Sequence, residues 1–234
     1  MMHSVKLGVM QPYFLPYIGY WQLLNAVDRY VIYDDVNFIR GGWINRNRIL
    51  VNGESKLIHV QMHNASQNKR INEIEVLADP IYKKKLLKNI EGCYRKAPFF
   101  RHVFPVIENV INYGEINLAR YLQYTISRIC EYLSIDTELI VSSTLPKNNE
   151  LRGQDKILEI CKILDADEYF NAVGGQALYS HEDFGAQGIQ LNFIKTGNIR
   201  YKQFNNEFVA SLSIIDVMMF NSVAEVKKML EDYE

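Results

Sequence analysis

Apolar and polar positions at the start of the chain predict two strands with a helix between them. The apolar stretch Lys6–Met10 predicts a buried strand that stops at Gln11-Pro12. Apolar residues at helical spacing in Gly19–Val27 predict a helix, and Arg29–Tyr33 predicts a second strand that ends at Asp34-Asp35. This order is a βαβ unit, which requires parallel strands and a right-handed crossover.

The middle of the chain has a helical pattern. Between Pro80 and Leu133 apolar residues recur every three or four positions, with breaks near Ala97-Pro98 and Tyr113-Gly114. This predicts three helices, which we expect to form a helical insertion at about residues 80–134. Ahead of them, the polar residues 36–50 predict a loop, and Leu57–Val60 predicts a third strand.

Strand patterns return after the insertion. They predict strands at Glu138–Val141, Glu168–Asn171 and Ile189–Phe193 and a helix at Asp155–Leu164. Two helices are expected after Ser213, split around Asn221-Ser222. The sequence thus predicts one α/β domain over residues 1–234, with a mostly parallel Rossmann-like sheet and the insertion as a helical layer or subdomain.

The charge balance argues against duplex nucleic acid as the main partner. The chain has 234 residues, with 26 Lys or Arg, 27 Asp or Glu and a formal net charge of −1. A protein that binds the phosphate backbone usually has a basic stripe or a high pI. The runs Lys83–Lys85 and Lys227-Lys228 lie in amphipathic stretches, which indicates solvated helix faces.

Cysteine and histidine patterns predict neither a disulfide framework nor a metal site. Cys93, Cys130 and Cys161 are widely spaced among apolar residues, which is typical of buried, unreactive thiols in a reducing compartment. The five histidines lack zinc-motif spacing on a helix. Because there is no secretory leader pattern and no run of about 18 apolar residues, we expect a cytoplasmic protein without a membrane span.

The loop after the first strand is the first candidate site. In parallel α/β sheets, ligands bind at the carboxyl ends of the strands, so we expect Gln11, Pro12, Tyr17 and Tyr20 to contact a substrate. The loop has the placement of the HxGH loop of adenylyl-transferring folds, where histidines stabilise the phosphates of ATP. Tyr17-Ile18-Gly19-Tyr20 has no histidine, so nucleotide binding, adenylyl transfer and a structural loop all stay open.

Two carboxylates follow the second strand. Asp34 and Asp35 are candidate catalytic residues, since paired carboxylates hold a cation or a sugar hydroxyl, or divide acid and base roles. Neighbouring side chains of a strand point to opposite faces, so at most one is expected to face the site. The alternative is that one caps a turn and the other is solvated.

Two further polar segments are candidate substrate contacts. In Gly41–Arg48, Trp43 could stack on a sugar or base, and Asn45 and Arg46 could bind polar groups, with the arginine as a fork for carboxylate or phosphate. The alternative is a surface loop whose arginines pair with acids. Further candidate substrate contacts follow later strands: Ser142, Ser143, Gly174 and Gly175. Helix capping or simple turn chemistry explains these residues equally well.

Several of these blocks together resemble the WbqC-like protein family. The resemblance extends in order along nearly the whole chain and rests on Gln11–Tyr20, Tyr33–Val36, Gly42–Asn47, Tyr94–Pro98, Ser142–Leu145, Gly174-Gly175 and Leu212–Asp216. It implies a bacterial protein of surface-polysaccharide (O-antigen) biosynthesis. Members are suspected of adding an amino acid or acyl group to the nitrogen of an amino sugar, and no catalytic residues are carried over.

The leading hypothesis is therefore an aminoacyl- or acyltransferase that acts on a nucleotide-linked amino sugar. In it, Arg46 and the 11–20 loop hold an anionic part of the substrate, and Asp34 or Asp35 orients the amine or takes its proton. One alternative is a nucleotidyltransferase or an adenylate-forming amide ligase, which would use ATP and magnesium. Another is a non-catalytic accessory protein that binds a sugar nucleotide.

Overall fold

The computed structural model describes residues 4–205 and 207–234, with eight α-helices and nine strands in that part of the chain. The strands are β1 Lys6–Met10, β2 Arg29–Ile32, β3 Arg46–Val51, β4 Glu54–His59, β5 Met62–His63, β6 Glu75–Val76, β7 Glu138–Val141, β8 Glu168–Ala172 and β9 Gln190–Ile194. The helices are α1 Ile18–Asn25, α2 Pro80–Tyr94, α3 Phe100–Asn112, α4 Leu118–Leu133, α5 Gly153–Ile163, α6 His181–Ala186, α7 Ile214–Phe220 and α8 Val223–Leu230.

Five strands form one parallel sheet in the order β7-β2-β1-β8-β9. Counted along the chain within this sheet, the order is 3-2-1-4-5, which is the arrangement of a Rossmann-like fold. The predicted α/β fold class is confirmed. The strand order reverses between β1 and β8, so the carboxyl ends of these two strands define a topological switch point.

The sheet separates two apolar cores. Alternation places Leu7 and Val9 of β1 on one face, where they join the core under α5 and α6. On the other face Tyr30 and Ile32 join the larger core with α1. Gly8 lies at the centre of β1, where a Cβ would come within 3.2 Å of the Tyr30 ring, so this close approach favours glycine.

The helical insertion α2–α4 lies between β6 and β7, as predicted. Its three helices contribute Ile90, Val103, Ile107, Leu122 and Ile126 to the larger core, together with residues of α7 and α8. The bend before α4 is fixed by Asn117, whose side chain caps the helix by accepting a hydrogen bond from the Arg120 amide (3.2 Å). None of the helices in the described ranges is long and apolar enough to cross a membrane.

Three local predictions are wrong. The predicted 36–50 loop ends in a strand, because β3 pairs antiparallel with β4, and the predicted strand at Leu57–Val60 therefore lies in this hairpin rather than in the main sheet. The polar residues His181-Glu182-Asp183 predict a solvated turn, whereas in the structure they begin α6, which Ser180 caps and which buries Phe184. Cys93 is only half-buried, whereas Cys130 and Cys161 are buried and desolvation raises their thiol pKa values to about 12.

Candidate functional site

A cavity of about 450 Å³ lies at the switch point of the sheet. It is bounded by the carboxyl ends of β1 and β8, by the residue that follows β2, and by the start of α1. In the described part of the chain its wall carries no Lys, Arg, His, Asp or Glu, and we call it the neutral chamber. Its polar and aromatic wall residues are Gln11, Tyr13, Tyr17, Tyr20, Tyr33, Asn171 and Tyr179, with Gly19, Gly174 and Gly175 beside them.

The 11–17 loop is held in an unusual shape from beneath. Leu15 is fully buried with φ 45, a left-handed conformation that bulky residues rarely adopt. The buried Asn47 amide donates to the carbonyls of Phe14 (3.2 Å) and Leu15 (3.0 Å), and the Ser213 hydroxyl also donates to Leu15 (2.7 Å). These bonds from β3 and from the start of α7 fix the loop that presents Tyr13 and Tyr17.

Tyr17 folds back over the start of α1. A Cβ built on Gly19 would lie 2.4 Å from the Tyr17 hydroxyl and 2.4 Å from the Thr196 hydroxyl. Only a residue without a side chain therefore lets the Tyr17 ring lie between α1 and the segment that follows β9. Tyr20, one residue further along α1, donates from its hydroxyl to the Gln11 carbonyl (3.3 Å), which ties the helix to the end of β1.

A hydrogen-bonded set of polar side chains forms the far wall. The buried Asn171 amide donates to the hydroxyls of Tyr169 (2.7 Å) and Tyr179 (3.2 Å). Gly175 packs directly on Asn171, because a Cβ there would lie 3.1 Å from the side-chain oxygen. The position of the Tyr179 ring is thus set by β8 and not by a free loop.

A second cavity, of about 440 Å³, lies on the other side of Tyr17. Its wall includes Lys195, Arg200 and Tyr201, and we call it the cationic chamber. Lys195 is paired with Glu234 at 2.8 Å. No carboxylate in residues 4–205 or 207–234 lies within ion-pair distance of Arg200, whose guanidinium lies 5.8 Å from the centre of the Phe208 ring in the same wall. The two chambers and a smaller cavity of about 280 Å³ beneath Trp43 all have Tyr17 in their walls, and together they form the cleft.

Asp34 joins two strand ends. Its carboxylate accepts hydrogen bonds from the amide (2.9 Å) and hydroxyl (2.7 Å) of Ser143 and from the Asn72 amide (3.2 Å). This links the residues after β2 to those after β7. Both Asp34 and Ser143 therefore have a local structural role, and a direct role of either in catalysis stays a prediction.

Asp35 is buried with two lysines. Its Oδ2 lies 2.8 Å from the Lys147 ammonium and 3.5 Å from that of Lys156, and all three side chains are at most 6% exposed. Burial acts to raise the pKa of the Asp35 carboxyl, but Lys147, Ser142 and the charge of Lys156 outweigh it and hold that pKa below its ordinary value. The cluster carries one more positive than negative charge.

This cluster lies directly behind the neutral chamber. The Lys156 ammonium lies 5.7 Å from the centre of the Tyr33 ring, and Tyr33 lines the chamber. Burial, followed by the negative charge of Asp35 and the Tyr179 hydroxyl, raises the pKa of Tyr33. The Tyr33 phenol therefore separates the chamber from a buried charge cluster.

The polar segment before β3 opens onto a different cavity. Asn45 and Arg46 line a space of about 560 Å³ against Arg40 and His59. Arg46 donates from Nε to the Gly42 carbonyl (3.0 Å) and from Nη2 to that of Gly41. Asn45 donates to the Val60 carbonyl (3.2 Å). These two predicted substrate contacts are thus separate from the chambers, whereas Trp43 reaches the smaller cavity of the cleft.

The structure brings together only part of the predicted set. Gln11, Tyr17, Tyr20, Gly174 and Gly175 line the neutral chamber, with the buried Pro12 next to Gln11 in the chain. Ser143 instead donates a hydrogen bond to Asp34, and the Ser142 carbonyl accepts one from the Lys147 ammonium. Sequence reasoning did not single out Tyr33, Asn171, Tyr179, Lys147, Lys156 or Arg200. Tyr33 and Asn171 could have been identified from their position, since they are the polar residues at the ends of β2 and β8.

Comparison with known proteins decides the family. The model of the WbqC-like protein family matches residues 11–228, a range that contains all the residues lining the cleft except Val9 and Met10. The chain belongs to the WbqC-like protein family. A relative, the uncharacterized protein Rv1507c of Mycobacterium tuberculosis (strain ATCC 25618 / H37Rv), is 25% identical over 225 residues, 94% of this chain and 95% of its own length. No solved structure matches the chain.

Proposed function

We propose that this protein transfers an aminoacyl or acyl group to the amino group of a nucleotide-linked sugar in the biosynthesis of a bacterial surface polysaccharide. One observation carries the proposal. Two chambers of similar size, one neutral and rich in tyrosine and one with an arginine that has no carboxylate partner in the described residues, share Tyr17 as a wall. A nucleotide-linked sugar has the same division, with uncharged rings joined by a diphosphate.

Each chamber offers chemistry that suits one part of such a ligand. Tyrosine rings and hydroxyls, with the Gln11 and Asn171 amides, suit the faces and hydroxyls of a sugar or nucleoside ring. Arg200 in the cationic chamber offers a planar fork for phosphate oxygens. The start of α1 lines the cationic chamber at Ile18, and the helix dipole favours negative charge there.

The reaction is aminolysis of an activated acyl donor such as a thioester. The amine nitrogen attacks the acyl carbon, a C–N bond forms, the C–S bond breaks, and the leaving thiolate takes the proton that the nitrogen loses. This step depends more on holding the two groups together than on a strong base. Such chemistry fits a chamber whose described wall residues include no carboxylate and no histidine.

The two alternatives make different demands on the cleft. Adenylate formation requires a binding place for a triphosphate and its magnesium ion, and the described wall of the neutral chamber offers neither a cation nor a carboxylate. A non-catalytic accessory protein requires only the binding surface. The neutral wall supports the accessory-protein alternative equally well. Only the transferase is expected to form product, so a turnover assay distinguishes the two.

Thermal unfolding with a ligand panel tests the binding. A ligand at about 100 times its Kd stabilises by about 2.7 kcal/mol. We expect UDP- or dTDP-linked amino sugars to raise Tm in the wild type and to raise it much less in Arg200→Met. The matched control is Arg101→Met, an exposed arginine on α3. Arg46→Ala should behave like the control, because Arg46 lies in another cavity. A shift with ATP and magnesium alone would support adenylation, and no shift with any nucleotide would contradict the proposal.

Transfer is then read by mass spectrometry. Incubation with the bound amino-sugar nucleotide and a set of aminoacyl or acyl thioesters should give a product heavier by the acyl group, with release of free thiol. Binding without any product would favour the accessory protein.

Gly19→Ala tests the place of Tyr17. The added methyl overlaps the hydroxyls of both Tyr17 and Thr196. Neither side chain is buried, so both can move and the fold tolerates the change. We expect affinity for the ligand to fall about tenfold, equal to about 1.4 kcal/mol, with little change in Tm of the free protein. Unchanged affinity would contradict a binding role for the cleft at Tyr17.

A further inference from the structure

Exposed apolar side chains gather around the mouth of the cleft. Ten large apolar residues in the described ranges are exposed, and five of them belong here: Tyr17 (39%), Ile39 (51%), Trp43 (38%), Val173 (44%) and Leu178 (69%). Ile39, Leu178 and Tyr17 line the neutral chamber, Val173 the cationic chamber and Trp43 the smaller cavity. We call these five residues the apolar rim. A contiguous exposed apolar patch bordered by polar residues marks an interaction surface.

The same face carries arginines that no acid neutralises. Arg40, Arg46 and Arg48 belong to the segment that contains Ile39 and Trp43, and none has a carboxylate within 4 Å in residues 4–205 and 207–234. The guanidiniums of Arg46 and Arg48 lie 5.7 and 5.2 Å from the centre of the Trp43 ring. Arg200 adds a further cation at the cationic chamber. The whole chain has a net charge of −1, so this positive face is a local asymmetry.

We propose that the apolar rim docks on an anionic phospholipid surface. Ile39 and Leu178 would insert among the lipids, Trp43 and Tyr17 would lie at the headgroup level, and the arginines would contact lipid phosphates. Charge decides against a second copy as the occupant. A two-fold interface brings each patch against itself, so the arginines would face arginines. Docking in this way turns the mouth of the cleft towards the membrane, where it receives ligands at the lipid headgroups.

Vesicle sedimentation tests this without any substrate, so its outcome is independent of the proposed function. The full-length protein is mixed with phosphatidylglycerol/phosphatidylcholine vesicles or with pure phosphatidylcholine vesicles at low salt. We expect binding to the anionic vesicles that weakens in high salt. In the double variant Ile39→Ser/Leu178→Ser the partition constant should fall at least about tenfold. Arg40→Gln/Arg48→Gln should lower binding to anionic vesicles in particular.

The chain offers a matched control on another surface. Leu77 and Ile81 are 44% and 80% exposed near the start of α2, and Leu77→Ser/Ile81→Ser removes a similar apolar area. This variant should bind vesicles like the wild type. The proposal is overturned if wild-type protein does not sediment with anionic vesicles. It is overturned too if Ile39→Ser/Leu178→Ser and the control Leu77→Ser/Ile81→Ser bind these vesicles equally. It is also overturned if light scattering shows a dimer that only Ile39→Ser/Leu178→Ser dissociates, since the occupant is then a second copy.

Discussion

Two buried aspartates stand behind the two chambers, and their surroundings differ in charge. Asp35 contacts the ammoniums of Lys147 and Lys156 behind Tyr33 of the neutral chamber. Asp216 accepts hydrogen bonds from neutral donors only: the hydroxyls of Tyr94 (2.8 Å) and Tyr201 (2.7 Å) and the Gln203 amide (2.6 Å). Tyr201 lines the cationic chamber.

The pKa values move in opposite directions as a result. Burial raises the pKa of Asp216, and its three neutral donors only partly offset this effect. The two lysines reverse the same effect at Asp35 and lower its pKa. The comparison teaches that neutral hydrogen-bond donors only partly offset the effect of burial on the pKa of a carboxyl, whereas neighbouring ammoniums reverse it. Each aspartate nevertheless holds one wall of the cleft.

Asp216→Ala is expected to have the largest effect on stability. It leaves three buried donors without an acceptor, and one of these, the Tyr94 hydroxyl, also accepts the Leu50 amide of β3. Each unsatisfied buried group costs about 1–3 kcal/mol, so we expect a total loss of about 4 kcal/mol by urea denaturation. Asp136→Ala, at an exposed position, is the control. A loss below about 1 kcal/mol would show that water replaces the carboxylate.

Lys147→Met should rank second. It removes the closer of the two ammoniums and leaves the buried Asp35 carboxylate with Lys156 at 3.5 Å. Breaking a buried ion pair on one side costs about 3–5 kcal/mol, and Lys156 reduces this to about 3 kcal/mol. The exposed Lys162→Met serves as its control in the same denaturation series. Equal stability of the two variants would contradict an ionised Asp35.

The pH dependence of two amide variants distinguishes the aspartates more finely. Because the pKa of Asp35 is lowered in the folded protein, ionised Asp35 adds to the free energy of unfolding above the unfolded pKa of about 3.9. This stabilisation is lost as the pH falls through the folded pKa. The raised pKa of Asp216 gives the opposite sign, with a contribution that is complete below about pH 3.9 and lost as the pH rises through the folded value.

The cost of Asp35→Asn relative to wild type should therefore shrink when the pH is lowered from 7 to about 3.5, by on the order of 1 kcal/mol. The cost of Asp216→Asn should grow over the same change. Urea midpoints at several pH values measure both. If the stability costs of the two variants changed with pH in the same direction, the two aspartates would not differ in the way proposed.

The sequence predicts the sheet better than it predicts the cleft. The five sheet strands follow from short apolar runs bounded by turn residues, because burial on both faces leaves a strong local signal. The β3–β4 hairpin was only half predicted. The Leu57–Val60 prediction overlaps β4, whereas β3 was missed because it begins with the polar residues Arg46, Asn47 and Arg48. Gln11 and Tyr17 could be predicted at this edge of the sheet because both lie in the loop that joins β1 to α1. Lys156 lies more than 100 residues beyond Asp35, on a helix with an ordinary amphipathic pattern, and only the fold brings them together.

Lys156→Met should have the smallest effect on stability and makes the comparison sharpest. Lys147 remains 2.8 Å from Asp35, so the carboxylate keeps its ion pair, and the variant relieves the desolvation of a surplus ammonium. We expect a change within about 1 kcal/mol of either sign. Because the ammonium lies behind Tyr33, its loss should weaken binding of an anionic nucleotide sugar a few-fold and leave an uncharged nucleoside unaffected. Calorimetric titration of both ligands measures the difference. Equal weakening for the two would mean that Lys156 supports the shape of the chamber and not its charge.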